Sequence, residues 1–186
     1  MAGIYLWWIG EGAGEARAME EVRAQVERAF GLPARIWRAP ERPTDTFDPA
    51  RRQHSSTRIL RWLLATRPPE AEKVLALTDA DLFIPVLTFV FGEAKLGGAA
   101  AVVSTARLEA NPGGPRADPR LFTARVAKEC VHELGHTFGL IHCTDPRCVM
   151  ARSVSLVDVD TKTGALCRDC RIRLREFQKR GGEGHE

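Results

Sequence analysis

The sequence predicts an α+β domain, α/β-like at its N-terminal end. Its parts are a mixed, twisted sheet of about five strands, two backing helices, and a histidine-bearing helix that leads into a small C-terminal subdomain. Three observations carry this reading. A β-α-β pattern opens the chain over residues 3–39, apolar β-forming runs return between 73 and 104, and a long helix over 120–138 precedes a cysteine-bearing segment. The 186 residues suffice for one well-buried domain with a cleft, and are too few for two comfortable ones. We expect residues 1–139 to form the sheet-and-helix part and 140–186 the smaller part, together one compact domain.

Residues 3–9, Gly-Ile-Tyr-Leu-Trp-Trp-Ile, form a short continuous apolar run that suits a buried strand. Over 15–30, Met19, Val22, Val26 and Phe30 recur at three- and four-residue spacing among good helix formers, and Gly31 and Pro33 stop the helix. A second strand at 33–39 completes the opening, so a right-handed crossover should leave the two strands parallel. Residues 40–52, rich in Pro, Asp and Arg, read as loop. Helix returns at 54–66, with Ile59, Leu60, Trp62, Leu63 and Leu64 as its apolar side, and a third strand follows at 73–78. Residues 85–91 and 98–104 read as two more strands joined by a glycine-containing turn at 92–97, and the Asn-Pro-Gly-Gly-Pro run makes 107–119 a loop. On the 120–138 helix, Val126, Cys130, Leu134 and Phe138 recur every four residues as a core stripe, which makes Cys130 a buried thiol. Residues 171–180 form a terminal basic helix with Ile172, Leu174 and Phe177 inward, and 181–186 a frayed tail.

Composition excludes several classes. Hydrophobic content of 44% and charge of 27% belong to a globular chain, and a net charge of +3 is too mild to imply nucleic acid. The N-terminal apolar run is too short for a signal peptide, and no window approaches a membrane span. Five cysteines, an odd number without a secretory signal, favour metal binding in a reducing compartment over disulfides. We therefore expect a cytoplasmic monomer.

Residues 132–143 read His-Glu-Leu-Gly-His-Thr-Phe-Gly-Leu-Ile-His-Cys. His132 and His136, four apart, project from one helix face, a spacing that suits two imidazoles on one metal ion. Gly139 accepts positive φ and can turn the chain back, so that His142 becomes a third ligand. Three neutral protein ligands with one position open are the arrangement of a catalytic zinc. Glu133 lies where a carboxylate reaches a metal-bound water. A surface helix with solvated histidines leaves unexplained why three of the five histidines fall in this short run.

Downstream, Cys143 is followed by Cys148-Val149-Met150 and then by Cys167-Arg168-Asp169-Cys170. With the long histidine motif, this pattern resembles the archaemetzincins, a branch of the metzincin zinc metallopeptidases. Thr78–Phe83 and Phe89–Gly92 are similar to the family's sheet region more loosely. The resemblance implies a metzincin-like fold in which Met150 packs beneath the zinc ligands. It also implies that an extended substrate adds to an edge strand, here at 86–91.

Such a zinc lowers the pKa of its bound water toward 7, and Glu133 takes the proton as a peptide carbonyl is attacked. Glu129 reads as a solvated acid rather than a partner of the site. Cys143, Cys148, Cys167 and Cys170 have the two-plus-two spacing of a closed structural zinc site, with two disulfides or a redox-sensitive site as alternatives. Two zinc ions per chain are thus expected. Asp79 and Asp81 read as turn formers, and with Glu93 they are candidate anchors for a substrate amine. The expected function is peptide-bond hydrolysis on peptide or unfolded-protein substrates, without nucleic acid or membrane. The alternative is a catalytically quiet zinc protein that binds peptides or a partner, which an intact Glu133 argues against.

Overall fold

Strand β1 (Gly3–Trp8) alternates Ile4 and Leu6 on one face with Tyr5 and Trp7 on the other, all 2% exposed or less. Both faces are therefore covered, as expected of a central parallel strand. The computed structural model describes residues 3–11, 16–39, 41, 43–111, 114 and 116–182. Helix α1 (Ala16–Phe30) ends at Gly31, φ +66°, and returns the chain to β2 (Ala34–Arg38), parallel to β1. Residue 15, the expected first residue of α1, lies outside the described residues.

Further along the chain come β3 (Phe47–Asp48), β4 (Gln53–Ser55), α2 (Ser56–Thr66), β5 (Ala71–Thr78), β6 (Leu82–Phe83), β7 (Gly92–Ala94) and β8 (Ala100–Ser104). The main sheet has the order β2-β1-β5-β8-β7, parallel except for β7. Met19, Val22, Val26 and Phe30 of α1 pack on one face with Ile4, Leu6, Leu75, Leu77 and the helix that carries the histidines. On the other face, Ile59, Leu60 and Leu63 of α2 cover Tyr5, Trp7, Val74, Ala76 and Val102. Leu64, read as part of that apolar side, is 40% exposed.

Residues 85–91 are not a strand. Pro85 lacks an N–H, the segment turns where the Leu87 N–H donates to the Ile84 carbonyl, and Val86 is 84% exposed. Two of its carbonyls are met by side chains, Gln53 donating to the Thr88 oxygen at 2.9 Å and Arg51 to the Leu87 oxygen at 3.3 Å, and Val90 makes only an isolated bridge to Leu82. The edge strand is β7, within the stretch read as a turn, where Gly92, Glu93 and Ala94 pair with Val103, Val102 and Ala101 of β8. A small second sheet, β3-β4-β6, adds a strand inside the 40–52 segment read as loop.

Helix α3 (Pro119–Thr137) starts where the Asp118 carboxylate accepts from the N–H groups of Arg120 and Leu121, at 2.9 and 3.1 Å, with Pro119 in the first turn. A short α4 (Leu156–Thr161), absent from the sequence reading, opens with a capping box between Ser155 and Asp158. The last helix, α5 (Arg168–Gly182), begins ahead of the expected residue 171, and residues 183–186 of the expected frayed tail lie outside the described residues. Of its expected inward side only Leu174 is buried, at 4%; Ile172 is 46% and Phe177 38% exposed. Among the described residues, no helix is long and apolar enough to cross a membrane.

Candidate metal centres

The last turns of α3 place His132 and His136 side by side, with their Nε2 atoms 3.2 Å apart. Gly139, at φ +92°, reverses the chain, and the Phe177 ring lies 3.3 Å from where a Cβ at that glycine would sit. His142 then returns, so that ligand atoms of all three histidines lie within 4.8 Å of one another. Nδ1 of His132 faces the Val149 carbonyl oxygen at 2.9 Å, and Nδ1 of His136 faces that of Leu140 at 2.7 Å. A carbonyl can only accept, so both Nδ1 atoms carry the proton and both Nε2 lone pairs are free to bind a metal. Tetrahedral zinc with Zn–N of about 2.05 Å sets its nitrogens ~3.3 Å apart, so the donor set fits zinc.

Burial, helped by Lys162 and His136, pushes His132 well below the ordinary histidine value. Burial also lowers His136 and His142, with the charges of His136 and Arg152 adding to the effect at His142. These shifts all favour the neutral imidazole, the form in which histidine binds a metal. Glu133, 6% exposed, lies against the edge strand: a Cβ at Gly92 would stand 2.6 Å from its Cγ. Burial, followed by the charge of Glu129, raises its carboxyl well above the usual range. Met150 is fully buried beneath α3, and a Cβ at Gly135 would meet its Sδ at 2.4 Å. The glycine between the two histidines is therefore where the thioether packs.

Cys143, Cys148, Cys167 and Cys170 also converge, with one sulfur from each within 4.8 Å of the others. Sγ of Cys143 and Cys167 are 3.8 Å apart, and tetrahedral Zn–S bonds of about 2.3 Å predict ~3.8 Å. All five cysteines are free thiols, and Cys130 is buried in the core, as its place on the apolar stripe implied.

Several site features were not legible from the sequence. Glu129 is not solvated: it is 2% exposed and borders the cleft, with Oε1 2.7 Å from Nζ of the equally buried Lys162. Two more links tie α3 to α4. Arg125 grips Asp160 through two bonds of 2.7 and 2.6 Å, and Lys128 donates to the Val159 oxygen at 3.0 Å. Of the three candidate amine anchors only Glu93 borders the cleft. Asp81 is engaged by Arg107 at 2.8 and 2.7 Å, and Asp79 accepts from the Glu11 N–H at 3.0 Å. A cleft of about 500 Å³ lies over the histidines, bordered by residues of the 84–94 segment and by Arg152, Ser153 and Val154.

A mixed sheet with a short edge strand over a helix bearing neutral imidazoles and a buried carboxylate defines a zinc metallopeptidase. Comparison with known proteins makes this particular. The family model "Peptidase family M54" matches residues 71–176. An archaemetzincin from Methanopyrus kandleri is 46% identical over 140 residues, covering 75% of this chain and 76% of that one. One from Archaeoglobus fulgidus is 38% identical over 160 residues, covering 86% and 92%. The crystal structure of the Methanopyrus kandleri archaemetzincin superposes with a TM-score of 0.85 at 36% identity, covering 96% of each chain. The chain belongs to peptidase family M54, the archaemetzincins.

Proposed function

We propose that the chain cleaves peptide bonds at one zinc held by His132, His136 and His142, with Glu133 as the base, while Cys143, Cys148, Cys167 and Cys170 hold a second, structural zinc. The observation that carries this reading is the pair of Nε2 atoms 3.2 Å apart, with both Nδ1 atoms committed to backbone carbonyls. Zinc bound there polarises a peptide carbonyl and acidifies water. The carboxylate of Glu133 accepts a proton from that water and passes it to the departing amine nitrogen. An extended substrate adds its backbone to the outer edge of β7, which brings a peptide carbonyl over the histidines. Met150 supports the imidazoles by packing and does not act as a ligand. Residues 1–139 and 140–186 form the two sides of one catalytic domain, working as a monomer. Five free thiols, four of them at one metal site, suit a reducing compartment such as the cytoplasm.

The test is cleavage of a peptide library, read by mass spectrometry, with native protein and Glu133→Ala, both checked for bound zinc. We expect cleavage by the native protein and a loss of about 10²–10⁴-fold in the variant at unchanged zinc content. Equal cleavage by the two would remove Glu133 from its role. No cleavage by folded, zinc-loaded native protein would favour the quiet peptide-binding alternative.

A further inference from the structure

We infer that Arg152 makes this cleft a receptor for peptides that carry a carboxylate close to the bond over the zinc site; this rests on the reading of the site given above. The argument starts from the charges around the cleft. Glu93 is engaged by Ser56 Oγ at 2.5 Å and by Thr57 Oγ1 at 3.1 and 3.2 Å. Glu129 is paired with Lys162, and Glu133 is the base packed on Gly92. Arg152 is the only Lys or Arg among the described residues that border the cleft. Its side chain is exposed and makes no hydrogen bond or ion pair with the described residues.

An arginine at a cleft wall without a protein carboxylate has its fork of donors free for a ligand, and the planar guanidinium matches a carboxylate through two parallel bonds. The surroundings narrow the ligand further. Leu87, 42% exposed, and Val154, 63% exposed, border the same cleft, together with Phe89 and Val90. The complementary ligand is therefore a peptide with bulky apolar side chains and one carboxylate among them. That carboxylate comes from an Asp or Glu side chain or from the free C-terminus of a short peptide.

Binding without turnover tests this directly. Zinc-loaded Glu133→Gln protein is titrated with four fluorescent apolar peptides, which differ only in Glu against Gln at one internal position and in a free against an amidated C-terminus. We expect the preferred carboxylate to tighten binding about fivefold at low salt, and the preference to shrink as salt is raised. Adding Arg152→Ala should erase the preference while leaving the uncharged peptide within about twofold, and Arg152→Lys should restore part of it. A preference that follows the Glu/Gln pair assigns the site to internal acids, and one that follows the terminal pair assigns it to C-termini. The proposal is overturned if no carboxylate peptide is preferred, if none of the four binds, or if Arg152→Ala weakens all four equally. If Arg152→Ala fails to fold, the four-peptide comparison on the parent protein decides. Preference without cleavage by native protein would retain this inference and remove the peptidase reading.

Discussion

Gly92 shows how closely one residue can bind the sheet to the chemistry. A Cβ there would stand 2.6 Å from Cγ of Glu133, 2.8 Å from its Oε1 and 2.7 Å from the Val102 carbonyl oxygen. The edge strand can approach Glu133 only because this position has no side chain. Gly92→Ala should therefore displace the carboxylate or push β7 off β8. We expect kcat to fall about a hundredfold with KM little changed, in steady-state kinetics on a peptide found by library cleavage. Thermal unfolding should report a loss of about 1–3 kcal/mol from overpacking. The sequence pointed to the histidines and to Glu133 because helical spacing and a turning glycine are local matters. It did not point to Gly92, which reads as an ordinary turn glycine until tertiary contact brings Glu133 against it.

The elements α3 and α4 are joined by three polar links, of which the Glu129–Lys162 pair is the most buried, with side chains 3% and 0% exposed. Truncating one partner leaves the other charge buried and alone. Lys162→Met should cost about 3–5 kcal/mol in urea denaturation, and much of this should return in Glu129→Leu/Lys162→Met, where neither charge remains. If the single and double variants are equally destabilised, the pair is not the source of the loss. None of this could be read from the chain, because the partners of Arg125, Lys128 and Glu129 lie far along it, in or just after a six-residue helix too short to leave a periodic signal. The edge strand was misplaced for a related reason. Phe89–Phe91 has the composition of a strand, whereas Gly-Glu-Ala owes its strand form to pairing with β8.

At the scale of the molecule, the two sides of the cleft are stabilised differently. The large side buries two apolar layers on a five-stranded sheet. The segment from Cys143 to Cys170 has few buried apolar residues of its own, chiefly Val149, Met150, Val159 and Leu166 beside the thiols. The structural zinc proposed for the four cysteines would do the work of a core there. Cys148→Ser should lose one zinc equivalent and several degrees of Tm, whereas His142→Ala should lose one equivalent with little change in Tm. Metal analysis alongside thermal unfolding checks both, and equal drops in Tm would contradict the division into catalytic and structural zinc. The β-α-β opening with its parallel strand pair and the histidine and cysteine clusters were legible at this scale, because each rests on short-range pattern.

The imidazoles also differ in reach from the solvent: His132 is 4% exposed, His136 is half-buried and His142 lies open. That gradient gives metal exchange a direction. An ion held by the three histidines as proposed would enter and leave past His142, with a residence time set by how readily that ring swings aside. Arg152 borders the same cleft, and its positive charge would disfavour a bare dication there.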